Sequence, residues 1–109
     1  MAERPDRAAL ELGYWLQYVL PDRFAEQQME LVEEGARQGL ERAKQNARVD
    51  TGKMRRETEV VIEPNKVILG SRAPYAKYQE LGTRYISANR FILTGAHRII
   101  GYLRQNGYR

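Results

Sequence analysis

The sequence predicts an α+β domain, in which a long helix packs on a small antiparallel β-sheet with flanking N- and C-terminal helices. Three observations predict it. Ala25, Met29, Val32, Ala36, Leu40, Ala43 and Ala47 recur at steps of three and four, one apolar stripe along a helix. Alternation of period two follows, with Met54, Arg56, Thr58, Val60 and Ile62 facing one way and Arg55, Glu57, Glu59, Val61 and Glu63 the other. Behind a Pro64-Asn65 turn come Val67, Ile68, Leu69 and Gly70, a second strand to pair with the first.

The elements follow in order along one domain of 109 residues. Residues 1–20 carry an N-terminal helix. Asp6 is its N-cap, and Ala9, Leu12, Leu16 and Val19 or Leu20 share a face. Pro21 ends it, because the ring disfavours helical geometry at Leu20. Residues 22–47 form the long helix, capped by Asp22. At 1.5 Å per residue it would span about 39 Å, across the domain or past its edge. Gly35 and Gly39 lie beside its stripe and cost helix stability, which points to close contact with another element. Val49-Asp50-Thr51-Gly52 is a turn. Residues 53–70 form the β-hairpin, with Glu57, Glu59 and Glu63 on a solvated face. Residues 74–82 form a short helix carrying Tyr75, Tyr78 and Leu81, stopped by Gly82. Residues 89–105 form the last helix, capped by Asn89, with Ile92, Ala96, Ile99 or Ile100 and Leu103 on one face.

Charge is divided unevenly. Residues 1–50 hold seven Lys/Arg against ten Asp/Glu, and residues 51–109 hold eleven against four. Glu80 is the last acid, and Arg84, Arg90, Arg98, Arg104 and Arg109 follow it. Such asymmetry predicts that the two halves meet different partners. No apolar run reaches the roughly 18 residues that span a bilayer. The mixed charges of the first seven residues do not make a signal peptide, so assembly in a cytoplasm is expected.

No residue set makes an active site. There is no cysteine, and His97 is the sole histidine, expected at the surface or half-buried and not as a base. Ser71 and Ser87 lack the glycine-flanked context of a nucleophile. Neither a phosphate-binding loop nor a metal or cofactor set is present, so the chain is not expected to be an enzyme. The basic half does interleave arginines with Tyr75, Tyr78, Tyr85, Phe91, Tyr102 and Tyr108, the pattern of a single-strand platform. The competing reading packs Tyr75 and Tyr78 on the sheet and Phe91 in the core.

Two segments carry a resemblance. Val49-Asp50-Thr51-Gly52-Lys53-Met54-Arg55-Arg56 is similar to a "VDTG-x-L-R" turn that follows a long helix. Pro74-Tyr75-Ala76-Lys77-Tyr78-Gln79-Glu80-Leu81-Gly82-Thr83-Arg84 is similar to a "YA-x-Y-x-E-[F/L]-G-T" motif. Arg90-Phe91-Ile92-Leu93 echoes a later "PFL" element, with Arg90 where proline is common. In this order and spacing, over about Leu31 to Leu93, the chain resembles the tail-completion, or head–tail joining, proteins of the necks of long-tailed phages.

The resemblance implies a hexameric ring in the virion neck, built of copies of this chain. A head connector or stopper protein would lie on one side and a tail terminator or tail tube protein on the other. DNA would pass through the lumen without specific binding. Subunit or partner contacts are expected at Thr51, Gly52, Arg55, Arg56, Tyr75, Tyr78, Glu80, Gly82, Thr83, Arg84, Arg90 and Arg98. The Glu80 carboxylate would hold Arg55, Arg56 or Arg84, within a subunit or across an interface; the competing reading makes all these residues folding determinants. The alternatives are a tail terminator or minor tail protein, or, in a different class, a small basic DNA-binding protein. A small nuclease would need acids near the basic patch, and none follows Glu80.

Overall fold

The computed structural model describes residues 13–47, 56–73, 76–84 and 88–106. Along them run β1 (Tyr14–Val19), α1 (Phe24–Gln27), α2 (Met29–Asn46), β2 (Thr58–Glu63), β3 (Lys66–Ser71), α3 (Ala76–Leu81) and α4 (Phe91–Gln105). Among the described residues the sheet has three antiparallel strands in the order β1-β3-β2. Helix α2 lies over β2, and α4 lies over β1 and β3. The fold is α+β, as the sequence predicts.

Three expectations are corrected. The first is the N-terminal helix: residues 14–19 form a strand. Tyr14, Trp15, Tyr18 and Val19 are aromatic or β-branched and fit a pleated surface. Their strand supplies partners for the second edge of β3, pairing Leu16 with Leu69 and Tyr18 with Val67. Leu16 and Tyr18 pack toward the helices. Trp15 covers Gly70 on the opposite face, where a Cβ would come within 2.6 Å of the indole. Residues 1–12, the rest of that expected helix, lie outside the described residues.

The second is the unbroken helix over 22–47. Gln28 leaves helical geometry at φ −125° and ψ 45°, and separates α1 from α2. The two segments serve different neighbours. Ala25 of α1 donates its N–H to the Pro64 carbonyl at the hairpin turn (3.1 Å), while α2 follows β2. Asp22 is not the cap; Arg23 is, in left-handed geometry at φ 60°. With 18 residues α2 is about 27 Å long. It stays within a molecule 43 Å in its longest dimension.

The third is the solvated face of the hairpin. The expected Pro64-Asn65 turn is present, and the pairing across it begins at Glu63 and Lys66. Strand β2 begins only at Thr58, however, and its second face is not open. Cross-strand partners Val61 and Ile68 are both buried. Glu59 is tied to Arg72 at 2.5 Å, and Lys66 stands 3.8 Å from Glu63. Val61 and Ile68 lie side by side across the strand pair, and the flanking Glu59 and Glu63 are drawn to Arg72 and Lys66, so the face is not simply solvated. The expected turn at residues 49–52 and the strand start at 53–55 lie outside the described residues.

The core forms where the two helices meet the sheet. Val32, Ala36 and Ala43 of α2 and Phe91, Ile92, Ile99 and Leu103 of α4 close on Val60, Val67 and Leu69. The helices touch backbone to backbone at Gly39 and Gly95. A methyl group at Gly39 would overlap the Ile99 side chain and sit 2.7 Å from the Gly95 carbonyl. One at Gly95 would sit 2.6 Å from the Gly39 carbonyl and 2.8 Å from Leu69. The close contact that Gly35 and Gly39 point to is therefore real, and its partner is the last helix.

Gly39→Ala and Gly95→Ala each lose about 1–3 kcal/mol in urea unfolding, because overpacking against rigid backbone outweighs the gain in helix propensity. Gly101, with no atom within 4 Å of its would-be Cβ, serves as the control. Gly101→Ala gains up to about 1 kcal/mol. Equal effects at all three positions would contradict the packing described.

Candidate interaction site

Helix α3 and the start of α4 form one unit around Glu80. This side chain is fully buried. Its Oε1 accepts the Ile92 N–H at 2.7 Å and its Oε2 accepts the Leu93 N–H at 3.3 Å. The N-cap residue of α4, Arg90, makes no side-chain cap. Glu80 therefore does from a neighbouring helix what an N-cap usually does from the same one. It satisfies orphan amides and sets a negative charge at the positive end of the helix.

Further bonds fix the unit. Asn89 donates its backbone N–H to Gln79 (2.6 Å) and its side-chain N–H to the Asn46 carbonyl at the end of α2 (2.9 Å). The expected cap at Asn89 is thus corrected: it ties three helices together instead. The Gly82 N–H closes α3 on the Tyr78 carbonyl at 2.8 Å, and Gly82 has φ 79°. Glycine takes that conformation without strain, as the sequence predicts. With Glu80 held inward, Tyr78 and Leu81 turn outward, 55% and 44% exposed. Lys77, Thr83, Arg84 and Arg90 are exposed around them.

Several expected site residues are thus brought together: Tyr78, Glu80, Gly82, Thr83, Arg84 and Arg90. Others are not. Arg56 is exposed two residues before β2, and Arg98 lines a separate polar cleft with Gln38, Glu41, Arg42 and Gln45. Thr51, Gly52, Arg55 and Tyr75 lie outside the described residues. Glu80 holds neither Arg56 nor Arg84, because its oxygens are engaged by backbone amides. Tyr78 does not pack on the sheet, whereas Phe91 does fill the core. His97 is exposed, as expected. Sequence reasoning missed the role of Glu80. No local signal marks it, because Asn89 reads as an ordinary N-cap; the one hint is a single acid, Glu80, in an otherwise basic stretch.

Burial pushes the Glu80 carboxyl above its ordinary value of 4.5, and the Ile92 and Leu93 amides and the Arg90 cation pull it partly back. On α2 the opposite occurs. Hydrogen bonding to Arg37, and then to Gln38, holds exposed Glu34 at about 2. Arg37 also reaches Glu41 at 3.0 Å, and Arg23 reaches Glu26 at 2.9 Å. Three of the six described acids of the first half are thus in ion pairs, and they share two arginines. Among the described residues no group of His, Cys, Asp and Glu could hold a metal ion. No helix among them is long and apolar enough to cross a membrane.

A family model described as "Bacteriophage HK97-gp10, putative tail-component" matches residues 16–82. The match begins within β1 and ends at the glycine that closes α3. It takes in Leu16–Val19 of β1, which precede the segment that carries the sequence motifs. Neither a curated protein nor a solved structure gives a match.

Glu80→Ala costs about 2 kcal/mol of unfolding stability, since it strips the buried Ile92 amide of its acceptor. In the wild type the native carboxyl has the higher pKa and binds the proton more tightly than the unfolded chain does. Its contribution is therefore complete below the unfolded value and is lost as pH rises through the native one. Glu80→Gln, measured by urea unfolding between about pH 4 and 8, flattens that decline. An unchanged slope would contradict the assignment.

Proposed function

Because the chain belongs to the HK97-gp10-like family of bacteriophage tail components, we propose that it is a structural, non-enzymatic protein of the phage neck. Copies of the chain form a hexameric ring between the head connector or stopper and the tail terminator or tube. DNA passes through the lumen without specific binding. The observation that carries this reading is the outward pair Tyr78 and Leu81, on a helix clamped by Glu80 inside the matched segment. An aromatic residue and a leucine on a rigid, cation-flanked helix make an anchor for another protein. A ring subunit needs such a surface, facing a different surface of its neighbour.

The charge division suits the same arrangement. The acidic first half of one subunit, or of a flanking ring, meets the basic second half of the next. A lumen lined by five arginines per subunit would grip DNA and hinder its passage, which favours a protein target for them. A second reading, tail terminator or minor tail protein, is favoured by the matched family's description as a tail component.

Electron microscopy of particles made without this chain separates the readings. The neck role gives DNA-filled heads lying apart from finished tails of normal length. Tails of irregular length indicate a terminator, and intact normal virions sink both readings. In vitro, raising salt from about 0.05 to 0.5 M weakens ring assembly as charge attraction is screened. Rings indifferent to salt would remove charge from the account.

A further inference from the structure

An open apolar groove lies between β1 and α4. Leu16 and Tyr18 form one wall, and Leu93, Ala96 and Ile100 form the other. All five are only half-buried. Its volume, about 190 Å³, is below the roughly 300–1,000 Å³ of pockets that hold small-molecule ligands. It is suited to an inserted side chain. The rim is polar. His97 follows Leu93 by four residues and Arg104 follows Ile100 by four, so all four share one face of α4. Both rim residues are exposed.

The chain carries the complement elsewhere. Met29, the first residue of α2, is 41% exposed, an unbranched side chain that adapts to irregular gaps. Glu33 lies one turn on, on the same face, with Glu30 beside it; both are exposed. Glu26, Glu34 and Glu41 are committed to arginines. Glu30 and Glu33 make no ion pair among the described residues.

Position decides between a contact within one copy and a contact between copies. The groove opens beside β1, while Met29 begins the helix that lies over β2, and β1 and β2 are opposite edges of the sheet. The geometry points to a heterologous contact: Met29 of one copy enters the β1–α4 groove of the next, and Glu33 meets the His97 and Arg104 rim. An apolar centre within a polar rim is the usual build of a protein interface. Two different surfaces at opposite edges of each subunit are what a closed ring requires. The inference rests on the ring reading and names the surfaces that would close it.

Sedimentation velocity on the purified chain tests it. One variant, Met29→Glu, puts a third acid beside Glu30 and Glu33 and spoils the inserted surface. A second, His97→Glu with Arg104→Glu, spoils the receiving rim, and the two altered faces repel each other. All three substituted residues are exposed, so unfolding midpoints near wild type are expected and serve as the folding control. Each variant alone needs at least about tenfold more protein to assemble, a loss of about 1.4 kcal/mol per contact. Mixed together, the two variants form a 1:1 pair and nothing larger. The intact groove of the first takes the intact Met29 of the second, and the remaining faces are spoiled. Wild-type rings that both variants reproduce would overturn the interface while leaving the ring reading in place. A wild-type chain that stays monomeric at every concentration would overturn both.

Discussion

The contact between Gly39 and Gly95 is the constraint on which the rest of the fold depends. Two helices must lie side by side over a sheet of only three strands. With side chains at both positions they would stand further apart, and Leu69 beneath them would lose its cover. Because both positions are glycine, Ile99 and Ala43 fall into the gap and one layer of apolar side chains seals the core. Glycine within a helix costs about 1 kcal/mol relative to alanine. Here that cost is offset by burial that no larger residue would permit.

The short helix α3 depends on that layer in turn. Its anchor is Glu80, whose two oxygens end at the first amides of α4. The acid in the Tyr-x-Glu-x-Gly motif is thus a folding device, and the motif's outward residues are the ones free to touch a partner. The division of labour within these five residues, Tyr78 to Gly82, is physical. A buried carboxylate with two amide donors holds the helix at a fixed angle. Gly82 turns the chain away, and Tyr78 and Leu81 are presented without strain. Arg90 enters α4 without capping it, because the cap comes from Glu80.

Much of this was legible in the sequence, for reasons that differ by element. The face of α2 was legible from Val32 to Ala43, where the stripe keeps helical period and is buried or half-buried; Met29, counted in the same stripe, stands 41% exposed at the start of the helix. The hairpin turn was legible because Pro64-Asn65 interrupts two apolar runs, and the end of α3 because Gly82 follows a run of three-residue steps. Strand β1 was not. Leu12, Leu16 and Leu20 fit a helix, while Leu16, Tyr18 and Leu20 fit a strand equally well over so short a stretch. The aromatic and β-branched content of Tyr14 to Val19 decides it once β3 needs a second partner. The break at Gln28 was hidden because α1 and α2 bury Ala25 and Val32 in a common core, so the stripe continues across it. The roles of Glu80 and Asn89 were hidden because both are tertiary caps whose donors and acceptors are distant in sequence.

The measurement that tests the central claim most directly is a reconstruction of the neck of the intact particle, at a resolution that shows side chains. The account predicts six copies of this fold in one closed layer between connector and tail, with the Tyr78–Leu81 face against another protein. Copies found along the tail shaft or at its far tip, or a neck with no density for this chain, would contradict it.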